Sequence, residues 1–311
     1  MRSDKILIIL GFIVISVIWG STWLAIKIGL ESIPPLYGVA IRFSLAVLIL
    51  SLIMFLRKEK LLLDRNSIIV YITLGISSFS IPFALVYWSE QYISSGLASI
   101  LFAVYPLVVA VLSHIFLSNE PLNPFKITGI LIGFIGVLII FWKDIHIGDV
   151  NTLAMGAIIL STVLQGISLV IVKRRGMAMN PISMNCGGMI IGIVVMYSLA
   201  LMFEDYSKLH FDEKGLGSIL YLGTFGTVVT FVTYYWLLKR VEAVYLSLTS
   251  LITPIVAVFL GTIILYEDLS PQVFLGAALV LLGLLITNGR DLIEILRKQS
   301  FMIASQKDLT G

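Results

Sequence analysis

The chain has 311 residues, 59% of them hydrophobic and 13% charged, whereas a water-soluble domain carries about 25% charged residues; this is too little charge to coat a globule facing water. The formal charge of +3 gives no argument for a nucleic-acid partner. The one cysteine, Cys186, rules out an intramolecular disulfide or a cysteine metal cluster and reads as a small buried apolar residue.

A helix needs about 20 apolar residues to cross the hydrocarbon layer. Met1 to Lys5 lead into an uncharged run over 6–26. That run is too long for the apolar core of a secretory signal and has no small-x-small cleavage site, so it reads as an uncleaved first helix. The second span, 35–56, is interrupted by Arg42. Spans over 66–89 and 91–119 follow, then a short one over 127–142 with Lys126 and Lys143 at its ends to snorkel. A second set covers 150–172, 176–203, 215–238, 243–266 and 269–289. Barrel strands alternate apolar and polar residues, and these runs do not. The expected fold is therefore an all-α integral membrane protein with ten transmembrane helices and a cytoplasmic tail over 290–311.

Short cytoplasmic loops carry an excess of Lys and Arg. With the N-terminus inside, 16 of the 21 basic residues fall in inside segments; outside there are only Lys143, Lys208 and Lys214, and Lys27 and Arg42 lie within spans. Both termini are thus expected in the cytoplasm. The two halves also repeat each other. Gly75, Phe83, Tyr87-Trp88 and Pro106 recur as Gly223, Phe231, Tyr235-Trp236 and Pro254 at an offset of 148. Val17, Gly20, Lys27 and Pro35 recur as Val163, Gly166, Lys173 and Pro181 at 146, and Glu120, Gly129 and Gly136 as Glu267, Gly276 and Gly283 at 147. The units are 6–142 and 150–289. Five spans per unit is an odd number, so the second unit enters the membrane from the opposite side. Such inverted repeats are a common build for secondary transporters, with the substrate site near the midplane between repeats.

These residues, taken in order, resemble the drug/metabolite transporter superfamily in its ten-helix EamA form. The resemblance is carried by Trp19-Gly20-Ser21 and Lys27, Pro35 and Arg42, Pro106 with Glu120 and Gly129, and Pro254 with Glu267 and Gly276, and it covers about residues 6–288. It implies movement of amino acids or other small metabolites. The sixth helix departs from the first, with Gln165-Gly166 in place of Trp19-Gly20, so the halves need not contribute equally.

Several residues are candidates for a substrate cavity. An arginine inside a span is expensive and faces the bundle interior or water. Arg42 can therefore hold a substrate carboxylate, pair internally with Glu90 or Glu31, or snorkel. Pro106 and Pro254 remove backbone hydrogen bonds at matching mid-span places, as helix breaks that line a cavity or as plain kinks. Trp19, Tyr105, Gln165, Asn185, Ser99 and Ser250 supply aromatic and small polar lining. Tyr87, Trp88, Tyr235 and Trp236 sit at span ends, as interfacial belts do. Lys27 reads as a snorkelling anchor, Glu120 and Glu267 as caps, and His114 as a hydrogen-bonded interfacial histidine. The GxxxG pairs Gly129/Gly133 and Gly188/Gly192 allow close helix approach.

Glu31, Glu90, Glu120 and Glu267 all lie near span ends, which gives no support to proton coupling through a buried carboxylate. No nucleotide-binding glycine pattern is present, and three scattered histidines do not make a metal site. The expected function is a secondary transporter of small metabolites working by alternating access. Amino acids are the leading substrates and export the expected direction, with no cofactor and no metal. Its partners are a small-molecule substrate and membrane lipid, with no nucleic acid, and the oligomeric state is open. The alternatives are an exporter of drugs or aromatic compounds and, with much less support, a membrane enzyme acting on lipid-linked substrates.

Overall fold

The computed structural model describes residues 2–117, 122–141, 149–238, 240, 249–287 and 289. Glu120 and the expected tail over 290–311 lie outside the described residues. Among those described there is no strand.

The helices are α1 (Arg2–Gly29), α2 (Pro35–Leu56), α3 (Arg65–Leu74), α4 (Ile81–Ser89), α5 (Ser95–Phe102), α6 (Tyr105–Phe116) and α7 (Pro124–Phe141) in the first half. The second half holds α8 (Val150–Arg175), α9 (Pro181–Phe203), α10 (Glu213–Gly223), α11 (Thr230–Leu238), α12 (Thr249–Ile264) and α13 (Pro271–Thr287). Prolines open α2, α7, α9 and α13, where a missing N–H costs nothing because the first turn has no intrahelical acceptor for it. Side chains of Asp64, Ser94, Asn180 and Asp212 cap α3, α5, α9 and α10. Eight of the described helical stretches are long and apolar enough to cross a membrane; α12 and α13 are shorter apolar helices. The chain is a multi-pass, all-helical membrane protein.

Two stretches expected as plain helix contain a widened turn. The π-helical segments Gly75–Ser80 and Thr224–Val229 join α3 to α4 and α10 to α11. A π turn skips the regular i→i−4 bond and exposes carbonyls within the helix. Hydroxyls take them up: Ser80 Oγ donates to the Gly75 carbonyl and Thr227 Oγ1 to Leu222 at 2.9 Å.

The expected break at Pro106 is present. Helix is lost between Phe102 and Tyr105, and Pro106 sits in the first turn of α6. Pro254 differs, since α12 runs through it. A proline deprives the carbonyl four residues back of its donor, here that of Ser250, but the helix continues in spite of it.

α2 lies in the core, with Val39, Ala40, Phe43 and Ala46 buried, and packs chiefly against α9 and α10. The glycine pairs pack within the chain. α7 and α13 run antiparallel with their backbones touching: a Cβ on Gly283 would lie 2.5 Å from the Gly129 carbonyl, and one on Gly136 would lie 2.6 Å from that of Gly276. Gly188 and Gly192 face the π turn at Gly75–Ser80 in the same manner.

At the end of the bundle where α1 and α4 finish, carboxylates reach between elements distant in sequence. Glu204, after α9, accepts from the Leu36 and Tyr37 amides of α2 at 2.8 and 3.0 Å. Glu267, after α12, accepts from Ser95 N, Ser95 Oγ and Gly96 N of α5. The capping role expected of Glu267 therefore holds, but the helix it caps is α5. Asp212 accepts from Gly215 N and from Ser32 Oγ, and Lys214 pairs with Glu31 at 2.8 Å.

Gly136→Val should lower stability by about 1–3 kcal/mol through overpacking, read as a lower thermal midpoint in detergent. Gly156→Ala, where a Cβ meets open space, should stay within about 0.5 kcal/mol. The amide of Gly215 and the hydroxyl of Ser32 hold the Asp212 carboxyl below its ordinary range. A depressed native pKa gives stability that is complete above the unfolded value and lost as pH falls through the native one. The stability gap between wild type and Asp212→Asn should thus be full at neutral pH and close in acid below the ordinary aspartate range.

Candidate functional site

Arg42 lies about two turns into α2 and is only 4% exposed. Its Nε donates to Thr227 Oγ1 at 3.2 Å, its Nη2 to the Gly226 carbonyl at 3.4 Å, and its Nη1 to Tyr87 Oη at 3.4 Å. The first two partners belong to the π turn of the opposite half, where the widened backbone presents a carbonyl and a hydroxyl sideways. Gly226 permits the approach, since a Cβ there would lie 3.6 Å from Nη2 and 2.9 Å from Thr22 Cγ2. The guanidinium carbon stands 5.0 Å from the Phe83 ring centroid and 5.6 Å from that of Phe43, distances at which a cation is attracted to a ring face. Among the described residues no carboxylate comes within 4 Å of it. The ion pairs with Glu90 or Glu31 considered from sequence are therefore not formed; Glu31 is taken by Lys214.

From Arg42 a line of rings runs through the bundle. Phe83 meets Phe43 at 5.1 Å, Phe43 meets Phe79 at 5.5 Å, and Phe79 meets Phe231 at 6.2 Å. Phe231 then meets Trp19 at 6.4 Å, and Trp19 meets Tyr234 at 5.6 Å. These rings come from α1, α2, the first π turn, α4 and α11, so ring contacts connect Trp19 to the surroundings of Arg42. Tyr105 stacks on Phe102, which contacts Trp23, forming a second aromatic group.

The other candidates are less connected. Asn185 is buried, but its Nδ2 donates to the Pro181 carbonyl of its own helix at 2.8 Å. Ser99 is buried on α5 with no partner for its Oγ. Gln165 on α8 and Ser250 on α12 are half-buried. Among the described residues no hydrogen bond or ring contact links these four to Arg42.

Three sequence readings are corrected here. Tyr87 is no belt residue; it is 4% exposed and hydrogen-bonded to Arg42. Gly38 makes room for it, since a Cβ there would lie 3.2 Å from Tyr87 Cε1. Lys27 does not snorkel: its Nζ donates to the Glu90 and Ile93 carbonyls, closing the turn after α4. Glu90 stands at a helix end, yet its exposure is 0% and both carboxyl oxygens lack a hydrogen-bond partner. A span end can be buried by its neighbours, which sequence depth does not register. Exposed His114 accepts from the Leu122 amide. Among the described residues, no three His, Cys, Asp or Glu side chains are grouped to hold a metal ion.

The sequence profile of the EamA-like transporter family matches the chain twice, over 6–142 and 152–289. The chain is 30% identical over 278 residues to "Uncharacterized transporter YoaV" of Bacillus subtilis, covering 89% of this chain and 95% of that protein. It is 29% identical over 284 residues to "Protein PagO" of Salmonella typhimurium, covering 91% and 93%. An uncharacterized transporter of Archaeoglobus fulgidus is 31% identical over 268 residues, covering 86% and 94%. A solved crystal structure superposes with a TM-score of 0.65 at 18% identity, covering 92% of this chain and 98% of its own, and so shares the fold.

Against this duplication the Arg42 contact is asymmetric. At the offset of 146 that relates Pro35 to Pro181, Arg42 corresponds to Gly188; at 148, Thr227 corresponds to Phe79. Where Arg42 bonds Thr227 in one place, Gly188 faces Phe79 in the other, a Cβ there lying 3.1 Å from the ring. A polar pair thus replaces an apolar one at a single repeat-related position. Thr227→Val should remove the acceptor of Arg42 Nε and leave a buried cation under-bonded, at a cost of about 1–3 kcal/mol. The measurement is the thermal midpoint in detergent, with Thr227→Ser close to wild type.

Proposed function

The chain belongs to the EamA-like transporter family, and on that premise we propose that it is a secondary transporter of small metabolites, amino acids first among them. It works across the cytoplasmic membrane by alternating access, with α12 and α13 completing ten crossings. The two five-helix units, 6–142 and 150–289, are inverted and both termini are cytoplasmic. The antiparallel course of α7 and α13 supports the inversion, because these helices carry repeat-related glycines and run in opposite directions. The excess of basic residues in the loops assigned to the inside supports the orientation.

The observation that carries the substrate reading is Arg42. It is a buried guanidinium at a contact between the halves, with neutral partners only and no carboxylate within 4 Å among the described residues. Planar guanidinium groups pair with carboxylates through two parallel charge-assisted bonds, and a substrate carboxylate supplies the missing countercharge. The rings from Phe83 to Trp19 shape the apolar part of the path. Tyr105, Gln165, Asn185, Ser99 and Ser250 line its remainder, with the backbone at Pro106 and Pro254. Outward transport is the proposed direction. The unbroken line of rings favours a second reading, in which the cargo is an aromatic or drug-like compound.

Purified protein in liposomes, given a panel of labelled amino acids, tests both readings. Loss of a charge-assisted bond of about 1.5–3 kcal/mol predicts that Arg42→Ala weakens half-saturation for carboxylated substrates by about 10- to 100-fold. Unchanged affinity would remove Arg42 from the site. Trp19→Ala should penalise aromatic substrates more than aliphatic ones. If no solute moved in any imposed gradient, the transporter reading would fail.

A further inference from the structure

The carboxyl of Glu90 is fully buried, accepts no hydrogen bond on either oxygen, and plays no part in the site built around Arg42. Four ionisable groups surround it: Tyr87 on its own helix, Lys27 on α1, Arg42 on α2 and Glu267 after α12. Each is engaged elsewhere. Lys27 donates to the carbonyls of Glu90 and Ile93, and Arg42 to Thr227, Gly226 and Tyr87. Glu267 is held by the start of α5. No ion pair within 4 Å joins Lys27 or Arg42 to Glu90 among the described residues.

A carboxylate removed from water without donors is costly, and such a group takes up a proton instead. The charges nearby make this state reversible. With Glu90 neutral, Lys27, Arg42 and Glu267 leave one net positive charge in the corner; with Glu90 ionised they leave none. Packing without donors therefore favours the acid, and readmitted water favours the carboxylate. The surroundings are also mechanically coupled to helix ends. Lys27 ties α1 to the turn that follows α4, while Ser89 Oγ donates to the Ala154 carbonyl of α8 at 2.9 Å. Tyr87, three residues before Glu90 and on the same helical face, bonds Arg42 and so ties the turn that carries Glu90 to the proposed substrate contact.

We propose that Glu90 is a proton-binding site of the transport cycle: its carboxyl holds a proton while this corner is shut and yields it to water when the corner opens. The O–H bond of the acid breaks on opening, the proton passes to water, and the electron pair stays on the carboxylate. Coupling of that proton to cargo rests on the transporter reading above; the binding of the proton does not.

The test has two arms. In the first, infrared spectra of wild-type protein in lipid vesicles should show at neutral pH a carboxylic-acid C=O band that shifts in heavy water. This band should be lost in Glu90→Gln and kept in Glu31→Gln. Absence of the band from wild type, or its persistence in Glu90→Gln, would overturn the site, and the wild-type spectrum decides this even if the variant fails to fold. In the second arm, uptake of the labelled amino-acid panel is measured with and without an imposed pH gradient of either polarity. Wild type should respond to the gradient, whereas Glu90→Gln should lose that response and keep exchange without a gradient. An equal gradient response in both would overturn the coupling. A band lost as expected, with no amino acid moved by wild type, would count against the transporter reading and leave the proton site standing.

Discussion

A polar group buried in an apolar helical bundle has to find its partner within the protein, because lipid offers none. Much of the distinctive architecture here answers to that requirement. Both π turns expose carbonyls inside a span, and each has a hydroxyl in place to take one up. The first amides of α2 and α5 lack intrahelical acceptors, and Glu204 and Glu267 reach across from distant turns to bind them. The last carbonyls after α4 are met by Lys27. These bonds join elements 63 to 172 residues apart, so satisfying the backbone also fixes how the helices stand relative to one another.

The duplication sets a second constraint, and the Arg42 contact lies where it is broken. A repeat-related pair of helices offers the same surface twice, so a feature serving packing alone tends to appear in both copies. The glycines of α7 and α13 do so. The Arg42–Thr227 contact does not, its counterpart being glycine against phenylalanine. Burying a guanidinium costs free energy that packing could save by placing a small residue there, as Gly188 shows in the other copy. The charge is kept in one half alone.

Much of the fold was legible in the sequence because apolar length, basic loops and proline positions are local signals. Eight of the spans, the helix break at Pro106, the close approach at Gly129 and Gly133, and the presence of a charge, Arg42, inside a span could be read that way. What escaped depends on pairs far apart. Thr227 is a bland residue until it is placed 3.2 Å from a guanidinium 185 positions earlier. Tyr87 and Glu90 look interfacial because they end a helix, and become buried only when α1, α2 and α8 close over them. The π turns left a faint trace in the matched glycines Gly75 and Gly223.

The glycine seam between α7 and α13 has a genetic consequence. In most packed cores an enlarged side chain can be offset by trimming the residue opposite, and second-site suppressors arise at the facing position. Along this seam a Cβ at any of the four positions would meet the backbone carbonyl of a glycine opposite, and although the Thr287 and Ile140 side chains beside Gly129 and Gly276 could be trimmed, that carbonyl could not. Defects at Gly129, Gly136, Gly276 or Gly283 should therefore revert only at the same codon, or through changes that move the two helices apart as a whole.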